Sequence, residues 1–137
     1  GFNLPIGCLM RTPHGEYPEY HTSADDPSFV RPEALADTLG GLLEIANVLE
    51  RDRTLVNLQP HGEPQLGRRG LYRTMGGDSG LPGRETALLW VLNLSDGAHT
   101  LLDIADQSGL PFPVVCQAAD DLMKAGLLSE EETKCAS

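Results

Sequence analysis

The residue best suited to chemistry is His21, set in Glu19-Tyr-His-Thr-Ser-Ala-Asp25. Neutral imidazole is a common zinc ligand, and a ligating histidine needs an acceptor on its other ring nitrogen to fix the tautomer. Asp25 and Asp26 are nearby candidates for that acceptor. A zinc site takes three or four donors. The sequence has no His-x-x-x-His, His-Glu-x-x-His or Cys/His cluster to supply them. On spacing alone, a lone histidine is ordinarily structural or solvated. A second candidate is the arginine-rich stretch with Arg68, Arg69 and Tyr72, because guanidinium clamps carboxylate or phosphate through paired hydrogen bonds. Its plain alternative is a solvated arm packed across a domain junction, and the abundance of arginine on ordinary surfaces favours that alternative. His61 and Glu63 lie beside Pro60 and Pro64, and His14 lies beside Pro13 and Gly15, all of which mark ordinary turns.

The bulk composition narrows what such residues can serve. The chain has 137 residues, enough for one ordinary domain or two small ones, and a formal net charge of -10. Generic affinity for nucleic acid comes from lysine and arginine neutralising phosphates, so this balance argues against it. The charge is unevenly spread. Arg51, Arg53, Arg68, Arg69, Arg73 and Arg84 crowd the middle third, and Glu130, Glu131 and Glu132 come near the end. Cys8, Cys116 and Cys135 are far apart and odd in number, which suits free thiols in a reducing compartment such as the cytoplasm. No apolar run is long enough to span a bilayer. The chain starts at Gly1 and runs at once into Phe2-Asn-Leu-Pro-Ile-Gly-Cys-Leu-Met10, which reads as the middle of a protein.

The elements that must position these residues fall into regions. Leu4 to Arg11 reads as a short buried strand, followed by a polar, proline-punctuated loop to Arg31. Pro32 suits a first helical turn, where its missing N–H has no partner to lose. Leu35, Leu39, Leu42, Ala46 and Leu49 then form one helical stripe. Gly40-Gly41 within it costs roughly 1 kcal/mol per glycine against alanine, which hints at close approach by a packing partner. Residues 53–83 read as a connecting arm and linker, with a short strand over Thr54–Leu58 and a flexible stretch over Gly76–Gly83. Residues 84–129 read as a small all-α bundle of three helices. Glu85–Leu94 is the first, ended by Ser95-Asp96-Gly97. Thr100–Gln107 is the second, with Thr100 and Asp103 as a capping box. The third opens at Pro113 and stops at Gly126. The tight turn between the last two gives a helix-turn-helix outline. Residues 130–137 read as a tail.

Two segments, Leu4-Pro-Ile-Gly-Cys-Leu-Met-Arg11 and Tyr17-Pro-Glu-Tyr-His-Thr-Ser-Ala-Asp25, carry a family resemblance. Together they resemble the last stretch of the di-zinc exopeptidases of the leucine aminopeptidase and glutamate carboxypeptidase type. There a strand leads to a His-Thr-x-x-Asp motif and a C-terminal helix follows. Gly62-Glu-Pro-Gln-Leu-Gly-Arg-Arg-Gly-Leu-Tyr72 and Leu89-Trp-Val-Leu-Asn-Leu-Ser-Asp-Gly97 look like a bacterial aminopeptidase-like family. Its members often sit among polysaccharide or natural-product biosynthesis enzymes and carry a winged-helix-type C-terminal domain. The resemblance reaches to about Ser129.

The resemblance implies an α/β piece over 1–52, the end of an aminopeptidase-like domain, followed by a winged-helix-like bundle. It implies that His21 is the last zinc ligand and that Asp25 supports it. Arg11 and Tyr20 flank that site as substrate-contact candidates, alongside Arg68, Arg69 and Tyr72. The family's other metal ligands and its glutamate base have no match here. They imply two zinc ions in a complete enzyme that cleaves peptide or amide bonds, and an N-terminal half or companion chain that carries the missing groups. The expected partners are thus that companion, a peptide or amide substrate and a further copy in a homo-oligomer, with no nucleic acid and no membrane. The alternative is a non-catalytic winged-helix-like interaction or dimerisation module. A DNA-binding regulator ranks last, because the third helix offers Gln117, Asp120, Asp121 and Lys124, and aspartates repel phosphate. Exposed, those aspartates would suit a basic partner surface.

Overall fold

A computed structural model describes residues 6–72 and 82–130. The chain divides into two compact units, Gly1–Leu49 and Glu50–Ser137.

The first unit is a loop and a helix. Ile6–Arg11 has no regular structure, and each of these residues is exposed. The buried strand expected over Leu4–Arg11 is therefore not formed over its described part. An apolar run becomes a strand only when a neighbouring strand satisfies its backbone groups, and none lies beside it among the described residues. Helix α1 spans Pro32–Arg51, with Glu33 in the first turn and Arg51 in the last, both complementing the helix dipole. No α1 residue is buried. The leucine stripe is real as a helical face, but it stands open. The paired glycines lie on the other side of the helix. A Cβ at Gly41 would meet Leu9 Cδ2 at 3.9 Å, and one at Gly40 would meet nothing within 4 Å. The described residues therefore press no backbone against these glycines, and the packing partner they hint at is not among them.

The second unit is a mixed helix and sheet fold. Strand β1 (Thr54–Asn57) lies at the centre of a three-stranded antiparallel sheet, between β2 (Asp96–Thr100) and β3 (Leu128–Glu130). Helices α2 (Arg84–Leu94), α3 (Leu101–Ser108) and α4 (Phe112–Lys124) pack against one another beside it. The all-α expectation for 84–129 is corrected here, because β2 and the first two residues of β3 fall within that stretch. Thr54 pairs with Thr100 and Val56 with Asp96, with an irregularity between them. On the other edge, Leu55, Val56 and Asn57 face Glu130, Ser129 and Leu128.

Local chemistry sets these ends. Thr100 Oγ1 accepts from the Asp103 N–H, and the Asp103 carboxylate accepts from the Thr100 N–H, so the capping box starts α3 as the sequence predicts. Asp52 adds a third cap by accepting from the Leu102 N–H at 2.9 Å. Gly126 closes α4 at φ +69°, a left-handed conformation that a side chain would strain. Gly83 opens α2 at φ +84°, where a Cβ would also lie 3.1 Å from Leu110 Cδ2.

The core of the second unit draws on its three helices, on β1 and β3, and on the arm. Leu88 and Val91 of α2, Leu101 and Ile104 of α3, and Val115, Cys116 and Leu122 of α4 are fully buried. Leu55 of β1, Leu66 from the arm and Leu127 join them. Each fully buried aliphatic side chain of this kind contributes about 1.5–3 kcal/mol. Cys116 is packed as a small apolar group, and burial pushes its thiol above its ordinary range, away from the reactive thiolate. Among the described residues no helix is long and apolar enough to cross a membrane.

Candidate functional site

The His21 loop is built from successive tight turns. The Tyr20 N–H donates to Tyr17 O (3.2 Å), Thr22 N–H to Glu19 O (3.1 Å), Asp25 N–H to Thr22 O (3.2 Å) and Phe29 N–H to Asp26 O (3.0 Å). Thr22 reinforces the second turn, since its hydroxyl donates to Glu19 O at 2.8 Å and accepts from the Ala24 N–H at 3.2 Å. Asp26 closes the fourth by accepting from the Ser28 N–H and hydroxyl, which lower its pKa. His21 itself has φ +58°. A non-glycine residue in that region is uncommon and is held there only by its surroundings.

The rings supply part of that hold. Phe29 stacks on Tyr17 (5.9 Å between centroids), and Tyr17 meets Tyr20 edge-on (5.5 Å). Tyr20 stacks against His21 at 4.1 Å and leans on His14 at 5.7 Å. The Tyr17 pairs lie at ordinary aromatic distances, worth about 0.5–1.5 kcal/mol each where the rings are well packed, and the Tyr20–His21 stack is closer than these. The outcome is an exposed imidazole held from behind by one tyrosine face. Asp25 is also exposed. Among the described residues no hydrogen bond joins its carboxylate to the His21 ring, and no group of three or more His, Cys, Asp or Glu side chains could hold a metal ion. The described residues thus bring fewer than three such donors together and do not by themselves fit a zinc ion, which needs three or four. Arg11, on the same unit, is paired with Asp37 of α1. The segment around it and the glycine face of α1 bound a cleft of about 340 Å³ lined by Leu9, Met10, Arg11, Asp37 and Glu44.

In the second unit, Arg69 spans the fold. Its Nε donates to Pro64 O at 3.0 Å and its Nη1 to Ala125 O at 2.9 Å, tying the arm to the end of α4. Arg68 instead lines an open cleft of about 430 Å³ with Gln59, Glu63 and Gln65. Gln65 has φ +57°, and Glu63 caps the turn after it by accepting from the Leu66 N–H at 3.1 Å. Tyr72 is partly exposed and packs over Gly67, where a Cβ would sit 3.6 Å from its ring. Sequence reasoning weighed a clamp of Arg68, Arg69 and Tyr72 against a solvated arm packed across the fold and favoured the arm; Arg69 is engaged with backbone carbonyls.

The acidic edge of α4 is where the sequence reading missed most. Asp121 accepts from Arg84 Nε (3.1 Å) and Nη2 (2.7 Å) and from Gln117 Nε2 (3.1 Å). Asp120 pairs with Arg53 and, at 3.0 Å, with Arg51, and Arg53 reaches on to Glu130 at 3.2 Å. The expectation of a basic partner surface for these aspartates is corrected: the chain's own arginines neutralise them. Residues about 70 positions apart in sequence carry no spacing signal. The available sign was the crowding of arginines in one third of a strongly acidic chain.

Comparisons with known proteins follow the same division. Residues 1–52 match a family described as a domain of unknown function, DUF4910. A Clostridium acetobutylicum protein named for polysaccharide biosynthesis and an aminopeptidase-like domain is 48% identical over 128 residues, 93% of this chain and 29% of the relative. A crystal structure of a Clostridium acetobutylicum chain named as a peptidase is 42% identical, with a TM-score of 0.69 over 82% of this chain and 24% of that one. The present chain thus spans less than a third of either relative's length. Residues 53–130, more than half of the chain, match the winged helix-turn-helix family, in accord with the helix order and antiparallel sheet of the second unit, and the chain belongs to that family.

Proposed function

We propose that this chain is the C-terminal part of an aminopeptidase-like hydrolase of peptide or amide bonds, in which His21 contributes one ligand to a zinc centre completed from outside these 137 residues. The observation that carries the reading is the state of His21. It is exposed, strained at φ +58° and stacked against Tyr20 at 4.1 Å, an arrangement that presents one imidazole outward with no group of three or more donors around it among the described residues. The names of the two relatives and their greater length support the same assignment. Asp25 then positions the loop, and Arg11 and Tyr20, which flank His21 in the same unit, are the candidates for contact with substrate. The exposed Cys8 thiol and buried Cys116 thiol suit a reducing compartment such as the cytoplasm.

The test is metal content. The 137-residue chain purified alone should hold far less than one zinc per chain by mass spectrometry. Combined with a polypeptide supplying the rest of the centre, it should take up zinc and gain amide-bond hydrolysis, and His21→Ala should abolish both. Stoichiometric zinc in the isolated chain, or full uptake by the His21→Ala assembly, would overturn the assignment.

A second reading rests on α4. Six of its residues are buried, and its outward edge is occupied by Asp120 and Asp121 locked to arginines and by Gln117 bonded to Asp121. A helix so committed has little left to read base edges, which takes free Arg, Lys, Asn or Gln. The winged helix then serves packing or dimerisation in place of DNA recognition. Salt-sensitive binding to duplex DNA would sink this reading.

A further inference from the structure

The open face of α1 calls for a partner. Leu35, Leu39, Leu42, Leu43, Ile45 and Leu49 are between 47% and 74% exposed. At about 100° per residue they sweep an arc of about 160°. Contiguous apolar surface on this scale marks an interaction site, not ordinary surface scatter.

Three observations choose among occupants. The arc is wide. A helix pairing with a second copy as a coiled coil needs only a narrow seam, whereas a helix seated on the body of a domain needs a stripe of about 100° or more. The polar side carries Glu33, Asp37 and Glu44, and Arg51 in the last turn is the sole basic residue of α1. Interfacial membrane helices carry lysine and arginine there, so an anionic lipid surface is the wrong chemistry. Finally, this chain matches only 29% of its named relative, so most of that protein's length lies outside the matched region.

We propose that the leucine face of α1 is the docking surface for the aminopeptidase-like body, the portion of polypeptide beyond these 137 residues. The proposal rests on the functional reading above and adds to it the surface through which the missing ligands are brought to His21. Docking on this face buries six aliphatic side chains and leaves the acidic side of the helix in water.

The test pairs the 137-residue chain with the Clostridium acetobutylicum relative from which the matched region has been deleted. Hydrogen exchange over residues 35–49 is the readout. Alone, the chain should sediment as a monomer, with α1 amides exchanging freely. Adding the truncated relative should slow that exchange by about 100-fold or more. Leu39→Glu and Leu42→Glu should each prevent the slowing while the Trp90 fluorescence melt of the second unit stays in place. Absence of association, association that leaves α1 exchange unchanged, a dimer lost in Leu39→Glu, or binding to anionic vesicles would each overturn the proposal. The two readings fail separately. Slowed α1 exchange without zinc uptake removes the ligand role of His21 and keeps the docking face. Zinc uptake that depends on His21 with α1 still exchanging freely does the reverse.

Discussion

Among the described residues, 17 apolar side chains between Glu50 and Glu130 are buried, whereas between Ile6 and Leu49 none is. Both stretches contain enough leucine to build a core. The second brings its leucines in from three helices, a sheet and an arm, so that they converge. The first sets them along one helix, facing away from its own loop. A hydrophobic stripe is therefore necessary for a core but not sufficient; convergence from several directions makes one. The second unit has what it needs to fold alone, and the first has the composition of an interior without an interior.

The sharpest way to break this comparison is to truncate one leucine in each unit. Leu122→Ala should cost about 2–5 kcal/mol, because the surroundings cannot collapse into the space left behind. Leu39→Ala should change stability by no more than about 0.5 kcal/mol, the ordinary range for an exposed site. Denaturant titration followed by Trp90 fluorescence and α1 circular dichroism measures both. Equal costs would mean that α1 is buried in solution.

Ion pairs sharpen it next. Asp121→Ala leaves the Arg84 guanidinium, which is 24% exposed, without its carboxylate, and should cost about 1.5–3 kcal/mol. Asp37→Ala removes an exposed pair with Arg11 and should cost about 0–1 kcal/mol. The same melts, compared with and without high salt, separate the two.

The smallest effect is in acid. Each unit has an aspartate lowered by a turn: Asp26 by Ser28, and Asp96, down to about 2, by the backbone N–H of Ala98 and by His99. A carboxylate lowered on folding stabilises above its unfolded value, given as 3.8, and loses that contribution as pH falls through its folded value near 2. Carboxyl NMR should therefore place the Asp96 midpoint near 2. Ser28→Ala should return Asp26 toward 3.8 without moving Asp96, and a shift of both would mean that Ser28 acts beyond its own turn.

Much of the second unit was legible in the sequence. Helices announce themselves through apolar spacing, and Thr100 with Asp103 marked the start of α3 to within a residue. β1 was legible because a central strand carries apolar residues. β2 was not: Asp-Gly-Ala-His-Thr has no apolar alternation, and it is a strand because β1 pairs with it. β3 is three residues long, too short for any period. In the first unit the error ran the other way, as Leu4–Arg11 has strand-like composition without a neighbour among the described residues. The stretch over Gly76–Gly83 lies mostly outside the described residues. For the site, composition marked His21 only as a loop histidine. The family resemblance gave it a role, and the geometry added the Tyr20 stack that no spacing rule foretells.

Arg84 has a consequence for how this chain can vary in length. Its Nη1 donates to Leu71 O at 2.7 Å while its Nε and Nη2 hold Asp121. One side chain at the start of α2 thus pins the far end of the segment that leads into it. With the arm and α2 stapled together by this one side chain, their packing does not depend on the length of chain that joins Leu71 to Arg84. Doubling the length of a connection costs only about 0.6 kcal/mol in closure entropy. Residues can be gained or lost between these two anchors at little cost, so this is where relatives can differ in size without disturbing the arm before it or α2 after it.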